Sequence, residues 1–195
     1  MDIFAGNRFI IQSELTENED ALGIMDANMK PICYVKHEHS WKGPEGKAGE
    51  IMGKRSQMRT TDVRLEGIDG ALLGEIHEIP TGLMRVIRKW NVYNAQGRLK
   101  GAVKEKPKFV GSDWVLDNVE GTTVATVKGD QKNHDYQVVT ADKYQQAIAR
   151  CSMINKDSYG VDLRVSNLDP FLVLNYVVVL DLVKTSMVFQ RRRGF

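Results

Sequence analysis

For most of its length the chain alternates short apolar runs with polar turns, and it then enters one stretch that is apolar on every side. That stretch reads Asp169-Pro170-Phe171-Leu172-Val173-Leu174, then Asn175-Tyr176, then Val177-Val178-Val179-Leu180-Asp181. Asp169 suits an N-cap, and Pro170 suits the first helical position, where a missing N–H costs nothing. Lys184 falls where a cation complements the last carbonyls. A helix over residues 170–184 is the reading. The valines leave a strand as the alternative, since β-branched residues favour strands, but the length and the end signals favour helix. A helix apolar all round must be buried all round. Its apolar runs are shorter than the ~20 residues that cross a bilayer. The rest of the chain is therefore expected to wrap it.

The preceding residues read as strands. Residues 8–15 form a first strand, and residues 22–25 and 31–37 pair around the turn Asp26-Ala27-Asn28-Met29. Residues 40–57 break the pattern with Gly43, Pro44, Gly46, Gly49 and Gly53 among basic side chains, and read as a flexible insertion. Beyond it a unit of strand, polar turn ending in Gly, and return strand recurs three times. Gly70, Gly97 and Gly121 stand where a tight hairpin needs a positive φ. Two further strands, residues 136–140 and 147–153, precede a third at 159–163, and residues 186–190 read as a last strand. Roughly ten to twelve strands at regular spacing indicate an antiparallel sandwich or barrel. A closed barrel removes exposed edges and leaves an interior to fill, and the apolar helix fills it. The expected fold is mainly β: one domain over residues 1–195, a closed antiparallel barrel enclosing a C-terminal helix.

Composition narrows the function classes. With 42% apolar residues the chain has enough for a core, and a net charge of +2 gives no overall nucleic-acid signal, so no nucleic-acid partner is expected. Cys33 and Cys151 sit among apolar neighbours without metal spacing and read as buried free thiols. The first residues lack a signal-peptide pattern, so a cytoplasmic protein is expected, without a transmembrane segment and peripheral to a membrane if it meets one. No G-x-S-x-G, P-loop, G-x-G-x-x-G or H-E-x-x-H pattern occurs, so no catalytic residue and no cofactor is assigned.

Three C-terminal segments carry a family resemblance: Ala147-Ile148-Ala149-Arg150-Cys151-Ser152-Met153, then Asp157-Ser158-Tyr159-Gly160-Val161-Asp162-Leu163, then the Asp-Pro start and Asp181 end of the apolar stretch. A strand, a D-x-Y-G-V turn-and-strand and such an apolar segment resemble the LURP-one-related group of the tubby C-terminal-like superfamily, to which phospholipid scramblases are related. The resemblance implies a barrel of about twelve strands around a buried helix. It also implies lipid-linked function, since tubby-type relatives bind phosphoinositides and scramblases move lipid in response to calcium. Here Asp157, Asp162 and Asp169 stand with Arg164 and no Phe-Pro pair, which supplies few of the oxygens that calcium needs.

Four candidate sites follow. Lys100, Lys104, Lys106 and Lys108 share one face of an extended chain, and with Arg85, Arg88, Lys89 and Arg98 they form a basic strip for phosphate headgroups. The same spacing suits a solvated face whose lysines block edge pairing. Trp41 and Met52 with Lys42, Lys47, Lys54, Arg55 and Arg59 offer charge and an insertable aromatic, or a surface insertion. Arg191-Arg192-Arg193 beside Phe189 and Phe195 offers an anionic-surface contact, or a frayed terminus. His37 and His39 share a strand face, with His77 and His134 elsewhere, and no metal is assigned. Asp157, Asp162, Asp169 and Asp181 read as cap and turn residues. The helix residues Asp169, Pro170, Phe171, Leu174, Val178 and Asp181 are structural. The expected function is a non-enzymatic binding module contacting anionic phospholipid or phosphoinositide headgroups. The alternatives are a scaffold barrel with an unidentified protein partner, a scramblase-like protein, and a small-molecule binding protein.

Overall fold

A computed structural model describes residues 7–12, 21–42, 58–79, 88–107, 112–130, 133, 135–155, 157–164 and 167–192. Twelve strands come first: β1 (Arg8–Gln12), β2 (Ala21–Asp26), β3 (Pro31–Lys42), β4 (Met58–Gly67), β5 (Leu72–Ile79) and β6 (Lys89–Asn94). They continue as β7 (Leu99–Pro107), β8 (Ser112–Asp117), β9 (Thr123–Asp130), β10 (Asp135–Thr140), β11 (Ala147–Asn155) and β12 (Ser158–Leu163). Helix α1 (Pro170–Arg192) follows. Each strand pairs antiparallel with the next, and β12 closes on β1, with Phe9 opposite Val161 and Ile11 opposite Tyr159. The sheet has no edge.

Period-two alternation sets the wall. Val63, Leu65 and Ile76 are fully buried on the inner face, with Trp90 and Val92 beside them, while Lys36, Arg64 and Glu75 look outward. The lumen is filled by α1, whose nine successive residues Leu172 to Leu180 are all buried. Asp169 caps it: its carboxylate accepts the Phe171 N–H at 3.0 Å and its carbonyl accepts that of Val173 at 3.1 Å. Two wall glycines let the helix come close. A Cβ on Gly74 would stand 2.5 Å from Phe171 Cζ, and one on Gly101 would stand 3.0 Å from Leu172 Cδ1. Two polar residues on the buried run of α1 donate to backbone carbonyls. Tyr176 donates its hydroxyl to the Trp114 carbonyl at 2.5 Å, and Asn175 Nδ2 donates to the Phe171 carbonyl at 2.7 Å.

Four hairpins share one backbone. In the turns beginning at Asp26, Gly67, Asn94 and Asn118, the residue three on donates back to the first carbonyl, and the first N–H donates to the carbonyl four on. The left-handed position holds Gly70, Gly97 and Gly121 at φ of 80°, 70° and 79°, as their spacing led us to expect. The first hairpin puts Met29 there instead, at φ 62°. The return strand of each hairpin then carries one extra residue, a bulge that adds to the curvature of the wall.

Two boundaries differ from the sequence reading. Strand β3 runs on through Lys42, so Ser40 and Trp41 are strand residues paired with Thr60 and Arg59; residues 43–57 lie outside the described residues. The strand expected at residues 186–190 is instead the continuation of α1 to Arg192. The reason is topological: once β12 has paired with β1, the barrel offers a further strand no free edge. No helix among the described residues is long and apolar enough to cross a membrane.

Two outcomes follow. Val178→Asp places an unpaired charge inside the barrel, costs several kcal/mol and abolishes soluble folded protein; a soluble monomer with native circular dichroism would refute the enclosure of the helix. Met29→Gly relieves a left-handed backbone and raises stability by about 0.5–1 kcal/mol, read as a higher urea midpoint at unchanged m-value.

Candidate functional site

The basic residues are sorted by strand direction. On β7 the outward positions are Lys104 and Lys106, while Gly101 and Val103 face the lumen and Lys100 is the extra residue of the hairpin bulge. The strand carries Lys100 near the hairpin end of the barrel and Lys106 near the other. Lys104 lies directly opposite Lys89 of β6 in the register. Lys89, Lys104 and Lys106 therefore share one patch of the outer wall. The remainder of the expected strip is dispersed. Lys100 Nζ is held by Asp169 Oδ2 at 2.5 Å, beside the N-terminus of α1. Arg88 turns to the barrel mouth, where its Nη2 donates to Glu78 Oε1 at 3.2 Å and its guanidinium lies 4.6 Å over the Trp90 ring. Arg98 is exposed at the hairpin end, while Lys108 and Arg85 lie outside the described residues.

Within the patch the partners are unequal. Lys104 binds Asp117, whose carboxylate is only 3% exposed and also accepts the Thr123 hydroxyl at 2.9 Å. Lys106 reaches Thr123 Oγ1 at 3.1 Å and is exposed. Lys89 and Lys104 thus face each other beside one buried carboxylate, Asp117, while Lys106 stands opposite Asp113 of β8 in the register. A pair of like charges directly opposite across two strands is destabilising unless an anion sits between them. Asp117 relieves part of that repulsion and holds Lys104 in place. Neither the Lys89–Lys104 opposition nor Asp117 was visible in the sequence, because both depend on register.

The other candidates do not converge. Trp41, Lys42 and Arg59 are strand residues whose side chains lie outside what is described, as do residues Lys47, Met52, Lys54 and Arg55 entirely. Arg191 and Arg192 belong to α1, and Arg193 lies outside the described residues. His37 alternates toward the lumen and is half-buried, while His77 is on the outer wall, 3.3 Å from Glu75 Oε2 and with its ring tilted 58° to that of Tyr93 at 5.2 Å. Among the described residues no three His, Cys, Asp or Glu side chains gather as metal ligands.

The acidic residues are also apart. Asp157 lies in the β11–β12 turn, Asp162 pairs with Arg8 at 3.3 Å, and Asp169 caps the helix. Asp181 is half-buried on α1; burial first, with a smaller push from the Asp181 charge, raises the Tyr136 and Tyr159 hydroxyls above the usual tyrosine range. Both cysteines are free and buried, and burial pushes each thiol up to about 12, far from a reactive thiolate.

No protein-family model matches the chain, and no curated protein matches it. One solved X-ray structure, of a protein from Arabidopsis thaliana, is similar to it with a TM-score of 0.55 and 16% identity, over 92% of this chain and 94% of that one. The likeness is one of fold.

The patch makes a stability prediction. Lys104→Ala strands the buried Asp117 carboxylate and costs roughly 2–3 kcal/mol, whereas Lys106→Ala costs less than about 0.5 kcal/mol. Urea denaturation of the two variants separates these values; equal small losses would show that Asp117 does not need Lys104.

Proposed function

We propose that this chain is a non-enzymatic binding module of the LURP-one-related type, working at a cytoplasmic membrane face. Its outer lysines Lys89, Lys104 and Lys106 contact anionic phospholipid headgroups. The observation that carries the reading is the Lys89–Lys104 opposition, two ammonium groups on neighbouring strands with the buried Asp117 carboxylate bound to Lys104. An anion bound there removes the residual repulsion. The closed twelve-strand barrel and the fold likeness to the Arabidopsis protein support the family reading. A lumen occupied by α1 supports placing the binding on the outer surface, since a packed interior has no room for a substrate. The scattering of Asp157, Asp162, Asp169 and Asp181 gives calcium-driven lipid movement less support. One observation favours a scaffold instead: Asp169 and Glu78 neutralise Lys100 and Arg88, which weakens the positive field that a lipid surface would meet.

Flotation with vesicles containing phosphatidylserine, at low and high salt, decides between them. Salt-sensitive binding is expected, at about 1 kcal/mol per contacting lysine. The double variant Lys89→Glu/Lys106→Glu should lower it by about tenfold or more. Lys104 is left intact because it holds Asp117. Binding that the double variant retains, or no binding to anionic vesicles, would discard the headgroup reading in favour of the scaffold.

A further inference from the structure

Because successive strands reverse direction, the β2–β3, β4–β5, β6–β7, β8–β9 and β10–β11 connections all lie at one end of the barrel, where α1 also begins. Each carries one exposed large apolar side chain: Met29 at 54%, Ile68 at 63%, Leu99 at 40%, Val119 at 51% and Tyr144 at 70%. Only two other exposed large hydrophobics occur among the described residues, Met153 and Ile154, at the opposite end on β11. Single exposed apolar residues are ordinary, but one on every hairpin of one rim is a pattern. Met29 adds to it. Its backbone occupies the left-handed position that the other three equivalent turns give to Gly, so an exposed apolar side chain is kept at the cost of strain.

We infer that this rim is a crown that inserts its apolar tips into the headgroup boundary of a lipid bilayer. The geometry selects the occupant. Polar turn residues separate the five tips around the circumference, so they offer a folded partner no continuous apolar patch to bury. A fluid interface accepts separate tips. The charges fit the same occupant: Lys30, Arg98 and Lys143 are exposed, each one residue from Met29, Leu99 or Tyr144. Lys143 Nζ lies 4.9 Å over the Tyr144 ring, an aromatic–cation pair suited to the headgroup level. Three nearby carboxylates accept turn amides, while Glu120, beside Val119, is exposed. Asp26 Oδ1 accepts the N–H of Asn28 at 2.8 Å and of Lys30 at 2.9 Å. Asp69 Oδ1 accepts that of Ala71 at 3.0 Å, and Asp142 Oδ1 accepts those of Tyr144 and Gln145, each at 3.0 Å. With acids and bases near balance, the drive is apolar burial rather than net charge, and binding is indifferent to salt. This surface is at the other end from Lys106 and is independent of the headgroup reading.

The test is flotation of the full chain with vesicles of phosphatidylcholine alone, at low and high salt. The chain is expected to float equally at both. Ile68→Ser/Val119→Ser/Tyr144→Ser, at unchanged thermal midpoint, should lower partitioning by about tenfold or more. Ile154→Ser, at the far end, should change it by less than about twofold. Three results would overturn the crown. The first is no flotation with phosphatidylcholine, or equal flotation of the triple variant. The second is flotation confined to anionic vesicles and abolished by salt, which would belong to the lysine patch. The third is self-association of the chain that the triple variant abolishes without any vesicle binding, which would assign the rim to a second copy.

Discussion

A helix that is apolar on every face has to be surrounded, and a single sheet can surround it only by closing. In this chain that requirement and the wall meet each other's needs. Leu172 to Leu180 need apolar neighbours in every direction, and the inner faces of twelve strands leave a lumen that side chains of the wall alone would not fill. Closure also pairs every backbone group that an open edge would expose. The close approaches at Gly74 and Gly101 bring the wall backbone against the capped first turn of α1. Tyr176, bonded to the Trp114 carbonyl halfway along, fixes the rotation of the helix as its other contacts are non-directional valines and leucines.

The architecture was legible because its determinants are local. Gly70, Gly97 and Gly121 mark left-handed turn positions whatever surrounds them, and Asp169-Pro170 marks a helix start from its own chemistry. Burial on all sides could be read from composition alone. The extent of the ends could not. Residues 186–190 suit a strand by propensity, and only the closed state of the sheet, a property of all twelve strands together, withdraws that option. The first hairpin shows the same limit: Met29 carries no left-handed signal, and the turn is set by Asp26, whose carboxylate takes two turn amides, and by strand pairing on both sides.

The candidate surface was legible only in part, and for a related reason. Period-two spacing puts Lys104 and Lys106 on one face, because that depends on one strand, but Lys100 falls on the bulge that resets the alternation. What each lysine meets depends on neighbouring strands, and there the sequence is silent. Lys100 meets Asp169, 69 positions away in the numbering and beside the helix start; Lys104 meets Asp117 across the β7–β8 pair. Arg88 and Lys89 are adjacent in sequence, yet one turns to the barrel mouth and the other to the outer wall, as any two neighbours on a strand must. Counting basic residues along a β chain therefore overstates the field that a partner meets.

The filled lumen also bears on how the two ends of the molecule relate. Coupling between distant surfaces needs an element with two arrangements that both surfaces bias. Nine successive buried helix residues inside a wall without edges favour a single arrangement of the barrel. The lysine patch is set by the register of β6, β7 and β8, and the hairpin rim by turn backbones that hydrogen-bond within themselves. Each surface is therefore preformed by the barrel, and occupation of one leaves the free energy of the other unchanged. A closed wall around a packed helix is suited to presenting fixed surfaces, and poorly suited to relaying a signal between them.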